Sequence, residues 1–249
     1  MPNDSPKQIT FKYIFSISDT EAHEFTVLLD SKSLTYQTFT SARPASWTKL
    51  SYHTCEDCPL IEQNIEHCPV AINFQDIVGA FKDAVSYDKV DICIETEERT
   101  YRKNQVSMQS GLSSILGMIM VTSGCPSLDY LRPMVKTHLP FATISESIYR
   151  SISMYLLAQF TRACNGLEPD WTLKGLMDIY KRIDKINVSM VKRLQAATEQ
   201  DASLNAVVIL DSFAKMIPLT IDGSLHEMED LFWPYLKDAT NTETSSPSD

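Results

Sequence analysis

The sequence predicts an α+β fold: an N-terminal antiparallel β-meander, a cysteine-rich loop, and then a mostly helical body. Three observations predict it. Residues 9–17 set aromatic and β-branched side chains at period two. Residues 40–69 carry Pro44, Pro59 and Pro69 and show no sustained apolar period. After Val106 the apolar residues recur at helical spacing almost to the end of the chain.

The elements follow in order. The strand over 9–17 turns at Ser18-Asp19-Thr20-Glu21 into a second strand over 24–29. A further turn, Asp30 to Ser33, leads to a third strand over 33–39. A meander of this kind needs another layer to cover its apolar face. The loop follows. Residues 70–84 then read as a helix, with Val70, Phe74, Ile77, Val78 and Phe81 on one stripe. Residues 89–96 and 99–106 make a hairpin around Glu97-Glu98. Helices are expected over 109–122, stopped by Gly124, over 127–137, and over 145–164 behind a Ser145 cap. The stripe at 173, 176, 177, 180, 183, 190, 191 and 194 predicts a long helix over 172–197. Helices over 202–217 and 225–236 complete the set, with Pro218 and Pro234 as breakers. The organisation is therefore a β layer over 1–45, a cysteine-rich loop over 46–69 and a helical body over 70–237 that carries the 89–106 hairpin. These form one unit, and a Ser/Thr-rich tail over 238–249 is expected to be disordered.

Composition narrows the function. The net charge is -10 and the basic residues are scattered, so a phosphate backbone is repelled and nucleic acid is not an expected partner. Lys181-Arg182 with Lys185 reads as a solvated helix face. The polar start, Met1-Pro2-Asn3-Asp4, lacks the apolar core of a signal peptide. The longest unbroken apolar stretch, 115–121, is far short of the roughly 20 residues a membrane helix needs. The expectation is a cytoplasmic protein, with no membrane, whose six cysteines stay reduced. No Gly-rich phosphate loop, no Gly-x-Ser-x-Gly elbow and no His-Glu-x-x-His helix occurs.

Thiol chemistry is what remains. His53-Thr54-Cys55-Glu56-Asp57-Cys58-Pro59 sets two thiols two residues apart, which lets them converge from one tight turn. Cys68 follows ten positions later, and Cys125, in Ser123-Gly124-Cys125-Pro126, is the thiol candidate for a fourth ligand. Cys55, Cys58, Cys68 and Cys125 would make a closed, structural zinc site, with His53 or His67 as an alternative ligand. An iron–sulfur cluster competes, because Cys58, Cys68 and Cys125 each precede a proline. The third option is no metal, with the cysteines buried or redox-active. Cys125 has a second role open to it: ahead of Pro126 it could cap the next helix, where amides and the dipole would lower its pKa. Arg132 and His138 would then add positive charge. The plainer readings are a corner thiol for Cys125, a helix-end residue for His138, and carboxylate partners such as Asp129 or Glu146 for Arg132 and Arg150. The methionines at 108, 118, 120, 134 and 154 read as core packing.

The strings WTKLSYHTCEDCPL, HCPVAI, TSGCPSLDYLRPMVKTHLPFA and SISMYLLAQF resemble an uncharacterised bacterial family known only as a domain of unknown function. The resemblance runs from about Phe11 to Tyr235 and implies no activity. Its motifs fall on His53, Cys55, Cys58, Cys68, Cys125, Arg132 and His138. Cys93 and Cys164 lie outside them and are expected to be buried structural thiols. The resulting expectation is a binding or interaction module. Its thiolate–metal site would tie the loop at 53–68 to the turn at 123–126, and a helical face would meet a protein partner or a second copy. The alternative is a redox sensor or an enzyme, using an iron–sulfur cluster or Cys125 as a reactive thiol.

Overall fold

The computed structural model describes residues 8–37 and 43–240. The α+β expectation holds: a four-stranded antiparallel sheet precedes a mostly helical body. The strands are β1 (Gln8–Ser16), β2 (Ala22–Asp30), β3 (Lys89–Glu95) and β4 (Thr100–Ser107), in the order β2-β1-β3-β4. Tyr13 faces Phe25 on one side and Ile94 on the other. The 89–106 hairpin thus belongs to the N-terminal sheet. The period-two pattern buries Phe11, Tyr13 and Phe15 of β1 together with Val27 and Leu29 of β2 and Val90, Ile92 and Ile94 of β3.

The third strand of the meander does not form. The Asp30 carboxylate accepts from the amides of Lys32 and Ser33 and from the Ser33 hydroxyl, which winds the chain into a turn. Leu34 sits at φ 57°, and Tyr36 makes only an isolated bridge to Leu29. The last two residues expected in that strand, 38 and 39, lie outside the described residues.

Helix α1 (Pro69–Ala80) packs against α2 (Met108–Thr122), which packs against β3 and β4 of the sheet. Helix α1 ends four residues earlier than expected, and Phe81 then packs its ring on Phe15 and Phe25. Helix α2 is buried almost all round, as a helix apolar on every side must be. A Cβ on Gly111 would stand 2.1 Å from the Ile92 side chain, so the glycine sets how close α2 comes to β3. Gly124, at φ +86°, ends the helical run as expected.

Residues 127–137 do not make an α-helix. A turn after Pro126 leads into a 3-10 helix over Asp129–Thr137, where Pro133 removes a backbone donor. Helix α3 (Ile144–Cys164) is capped by Thr143 rather than Ser145: Thr143 and Glu146 exchange bonds at the spacing of a capping box. Helix α4 spans Lys174–Gln195, and α5 runs unbroken over Ala202–Thr240. Pro218 and Pro234 lie inside α5 and do not end it. Each removes one backbone bond while the turns on both sides keep theirs. The expected disordered tail begins inside α5, and its residues 241–249 lie outside the described residues.

By length and composition alone, Ala202–Thr220 would suffice to cross a membrane. The unbroken apolar runs of the sequence did not show it, because polar residues interrupt a segment whose mean hydropathy is 1.4. A third of that window is buried, and α5 packs on α2 and α4. Two thiols were also misplaced. Cys164 is exposed at the end of α3 and Cys93 is only half-buried on β3.

Candidate functional site

Two places in the body gather chemistry. The first is the cysteine loop, which the chain closes with its own backbone. The amide of Leu50 donates to the Glu66 carbonyl (2.8 Å) and that of Cys68 to the Thr48 carbonyl (2.9 Å). Arg193 of α4, 1% exposed, clamps the loop's near end. Its Nη1 donates to the carbonyls of Trp47 and Lys49 (2.7 Å each) and its Nη2 to that of Leu50 (3.1 Å). Lys185 fixes the far side by ion pairs to Asp57 (2.6 Å) and Glu56 (3.1 Å). Arg182 lies over the Tyr130 ring, so this basic stretch is occupied rather than simply solvated.

Within the loop the Cys58 amide donates to the Cys55 carbonyl, giving the tight turn that the spacing requires. Cys55, Cys58 and Cys125 line a cleft of about 30 Å³ with Arg182 and Lys185. Cys68 is close enough to both Cys55 and Cys125 to interact electrostatically with them. The structure therefore brings together four cysteines drawn from opposite ends of a 70-residue span. Among the described residues, no three His, Cys, Asp or Glu side chains stand so as to hold a metal ion in this arrangement. Of the alternative ligands, His67 spends Nδ1 on the Thr48 hydroxyl (2.8 Å), and the His53 ring packs edge-on against Tyr52.

Burial pushes the Cys55 thiol up, opposed by a bond from Ser189 and by the Arg193 charge. Cys125 is pushed up to about 12 by burial. The amides of Ser127 and Leu128 reach its sulfur as an N-cap would, but desolvation outweighs them. The alternative of a low-pKa nucleophile thus finds no support in these surroundings, where burial favours the protonated thiol. Arg132 is paired with Asp129 and reaches the Ser33 carbonyl (3.4 Å), joining the 3-10 helix to the turn after β2.

The second place is a cavity of about 470 Å³ between α2, α4, α5 and the segment over 128–150. His138 lines it, but Cys125 and Arg132 do not, so the three catalytic candidates are not assembled in one site. His138 Nε2 stands 2.8 Å from the Tyr13 hydroxyl, and Phe11 meets the ring edge-on. Burial and the neighbouring Arg150 charge push the imidazole down to about 3, so it is neutral and shares one hydrogen bond with the Tyr13 hydroxyl through Nε2. Arg150 gives Nη2 to the Met134 carbonyl (3.0 Å) instead of pairing with a carboxylate. Asn187 also lines the cavity, is wholly buried, and neither amide atom has a hydrogen-bond partner among the described residues.

A family model described as a domain of unknown function, DUF6901, matches residues 9–233. The chain belongs to the DUF6901 family. No curated protein and no solved structure matches it. The DUF6901 match contains all four clustered cysteines and every residue that lines the cavity.

Sequence reasoning missed Asn187 and the cavity. One signal was available: Asn187 continues the core stripe of Tyr180 and Ile183 at helical spacing, where an apolar residue is expected.

Proposed function

We propose that the protein is a binding module that takes a small, mostly apolar molecule into the cavity between α2, α4 and α5. Asn187 carries the reading. A buried amide with both polar atoms unpaired costs about 1–3 kcal/mol per group, and a ligand that pairs with it removes that cost. Its surroundings fit: Met118, Leu210, Phe213 and Ile217 supply an apolar wall, and the cavity lies within the roughly 300–1,000 Å³ of small-molecule sites.

Titration with the apolar dye anilinonaphthalene sulfonate tests this on the folded protein. Saturable fluorescence at a single site is expected. Ala214, buried on the cavity wall, is the place to block it. Ala214→Phe should abolish the fluorescence and leave the melting temperature within a few degrees. Dye binding that survives in a folded Ala214→Phe protein defeats the proposal, as does no binding at all.

The meeting of four thiols favours a second reading, a structural thiolate–metal site with zinc, or alternatively an iron–sulfur cluster. A tetrathiolate zinc centre is anionic. Arg193 is a buried cation with no ion pair among the described residues, and it acts on Cys55. The thiols would exchange protons for the metal, and the Ser127 and Leu128 amides would stay on the Cys125 sulfur as outer-shell donors. Elemental analysis of protein purified without chelator should find about one zinc per chain. Cys125→Ser should lose most of that metal and unfold at lower urea. Brown colour with iron and sulfide would replace zinc by a cluster, and full stability of a metal-free protein would sink the site.

A further inference from the structure

We infer that the cavity's ligand is an amphipathic carboxylate with a second oxygen function well along its chain; this rests on the binding reading above. The charges on the wall set the head group. Lys103 and Arg150 line the cavity, and among the described residues no Asp or Glu does. Neither cation makes an ion pair among the described residues. Lys103 lies over the Phe141 ring (5.3 Å). Arg150 Nε is buried without a partner among the described residues, while its Nη2 is spent on the Met134 carbonyl. The acid nearest to it on α3, Glu146, is already occupied: its Oε2 accepts from the Thr143 amide (2.7 Å) and hydroxyl (2.9 Å). A half-desolvated guanidinium with a free Nε, facing an apolar cavity, is a seat for a carboxylate.

The second function follows from α4. Tyr180 stands at the level of Arg150, because its hydroxyl pairs with Ser151. Asn187 lies seven residues further on the same face, about 10 Å along the helix axis. A chain seated on Arg150 and running over Ile183 therefore meets Asn187 part-way. A hydroxyl or carbonyl there would use an amide that is otherwise unpaired. The rest of the wall is mostly apolar, with scattered hydroxyls such as those of Ser110, Ser113, Ser114 and Ser147, which favours a flexible aliphatic chain over a strongly polar ring.

Calorimetric titration of the full chain with ω-hydroxydodecanoate, dodecanoate and dodecanol, all below their micelle concentrations, tests both features. Affinity should fall in that order. Arg150→Gln should weaken both acids about 10- to 100-fold and leave the alcohol unchanged. Should Arg150→Gln fail to fold, Lys103→Gln gives the same readout with a smaller loss. Asn187→Leu should keep or raise the melting temperature and remove the preference for the hydroxylated acid. If dodecanol binds as tightly as dodecanoate and neither charge variant changes this, the carboxylate inference is overturned while the cavity reading stands. If none of the three binds and the dye does not bind either, the cavity reading itself has failed.

Discussion

Arg193→Met should cost the protein about 2–3 kcal/mol of folding stability. The side chain is wholly enclosed, and its two Nη atoms are the donors for the carbonyls of Trp47, Lys49 and Leu50. Methionine fills much of the volume but donates nothing. The Lys49 carbonyl keeps the Tyr52 amide and that of Leu50 the Thr54 hydroxyl, while the Trp47 carbonyl is left without its donor, at about 1–3 kcal/mol where water cannot replace it. Part of this is regained, because the guanidinium no longer has to be desolvated. The net loss still exceeds that of an ordinary substitution, whose typical cost is about 1 kcal/mol. Arg193→Lys should recover little of it, since one ammonium cannot reproduce the planar fork that spans three acceptors. Urea unfolding reads the total, and hydrogen exchange should place the first loss of protection in residues 46–68. A loss under about 1 kcal/mol would mean that water or a shifted backbone replaces the fork.

The same residue shows why the fold was more legible than the sites. Alternation in β1 and the 3.6-residue stripe of α4 are local, so they appear in the sequence wherever one face is buried. The failures came where a side chain redirected the backbone. The Asp30 carboxylate turned an expected strand into a turn, and Pro133 left a 3-10 helix in place of an α-helix. Pro218 failed in the opposite sense, because α5 carries on through it. In the cysteine loop, the turn joining Cys55 and Cys58 was legible from spacing. The clamp that holds it was not, since Arg193 lies more than 140 positions away from its carbonyls and carries no motif. The cavity was least legible of all. It is the space left between four helical segments, and nothing local records it except one asparagine in an apolar stripe.

Acid should destabilise the protein earlier than its carboxylates alone would. His138 has an ordinary pKa of about 6.5 when unfolded and is pushed down to about 3 when folded. Between those values the unfolded chain binds a proton that the folded chain refuses. Stability is therefore fully present above pH 6.5 and is lost as the pH falls towards 3. The slope has an upper limit of about 1.4 kcal/mol per pH unit for this one group. His138 keeps partial exposure on the cavity side, which lowers the slope below that limit. Burial by β1 and the positive charge of Arg150 on α3 cause the shift, while Phe11 and Tyr13 of β1 and Tyr101 of β4 face the ring or its backbone without neutralising it. Asp30, Glu146, Asp170 and Asp201 also have lowered values, but their contribution is lost only below the usual carboxylate range. The interval from pH 6.5 to about 5 therefore lies above the range in which these carboxylates act, and comparison with a variant singles out His138. His138→Gln offers the Tyr13 hydroxyl both a donor and an acceptor and cannot titrate. Urea midpoints across that interval should fall for the native protein and stay nearly level for the variant. Parallel profiles would assign the acid sensitivity to another group.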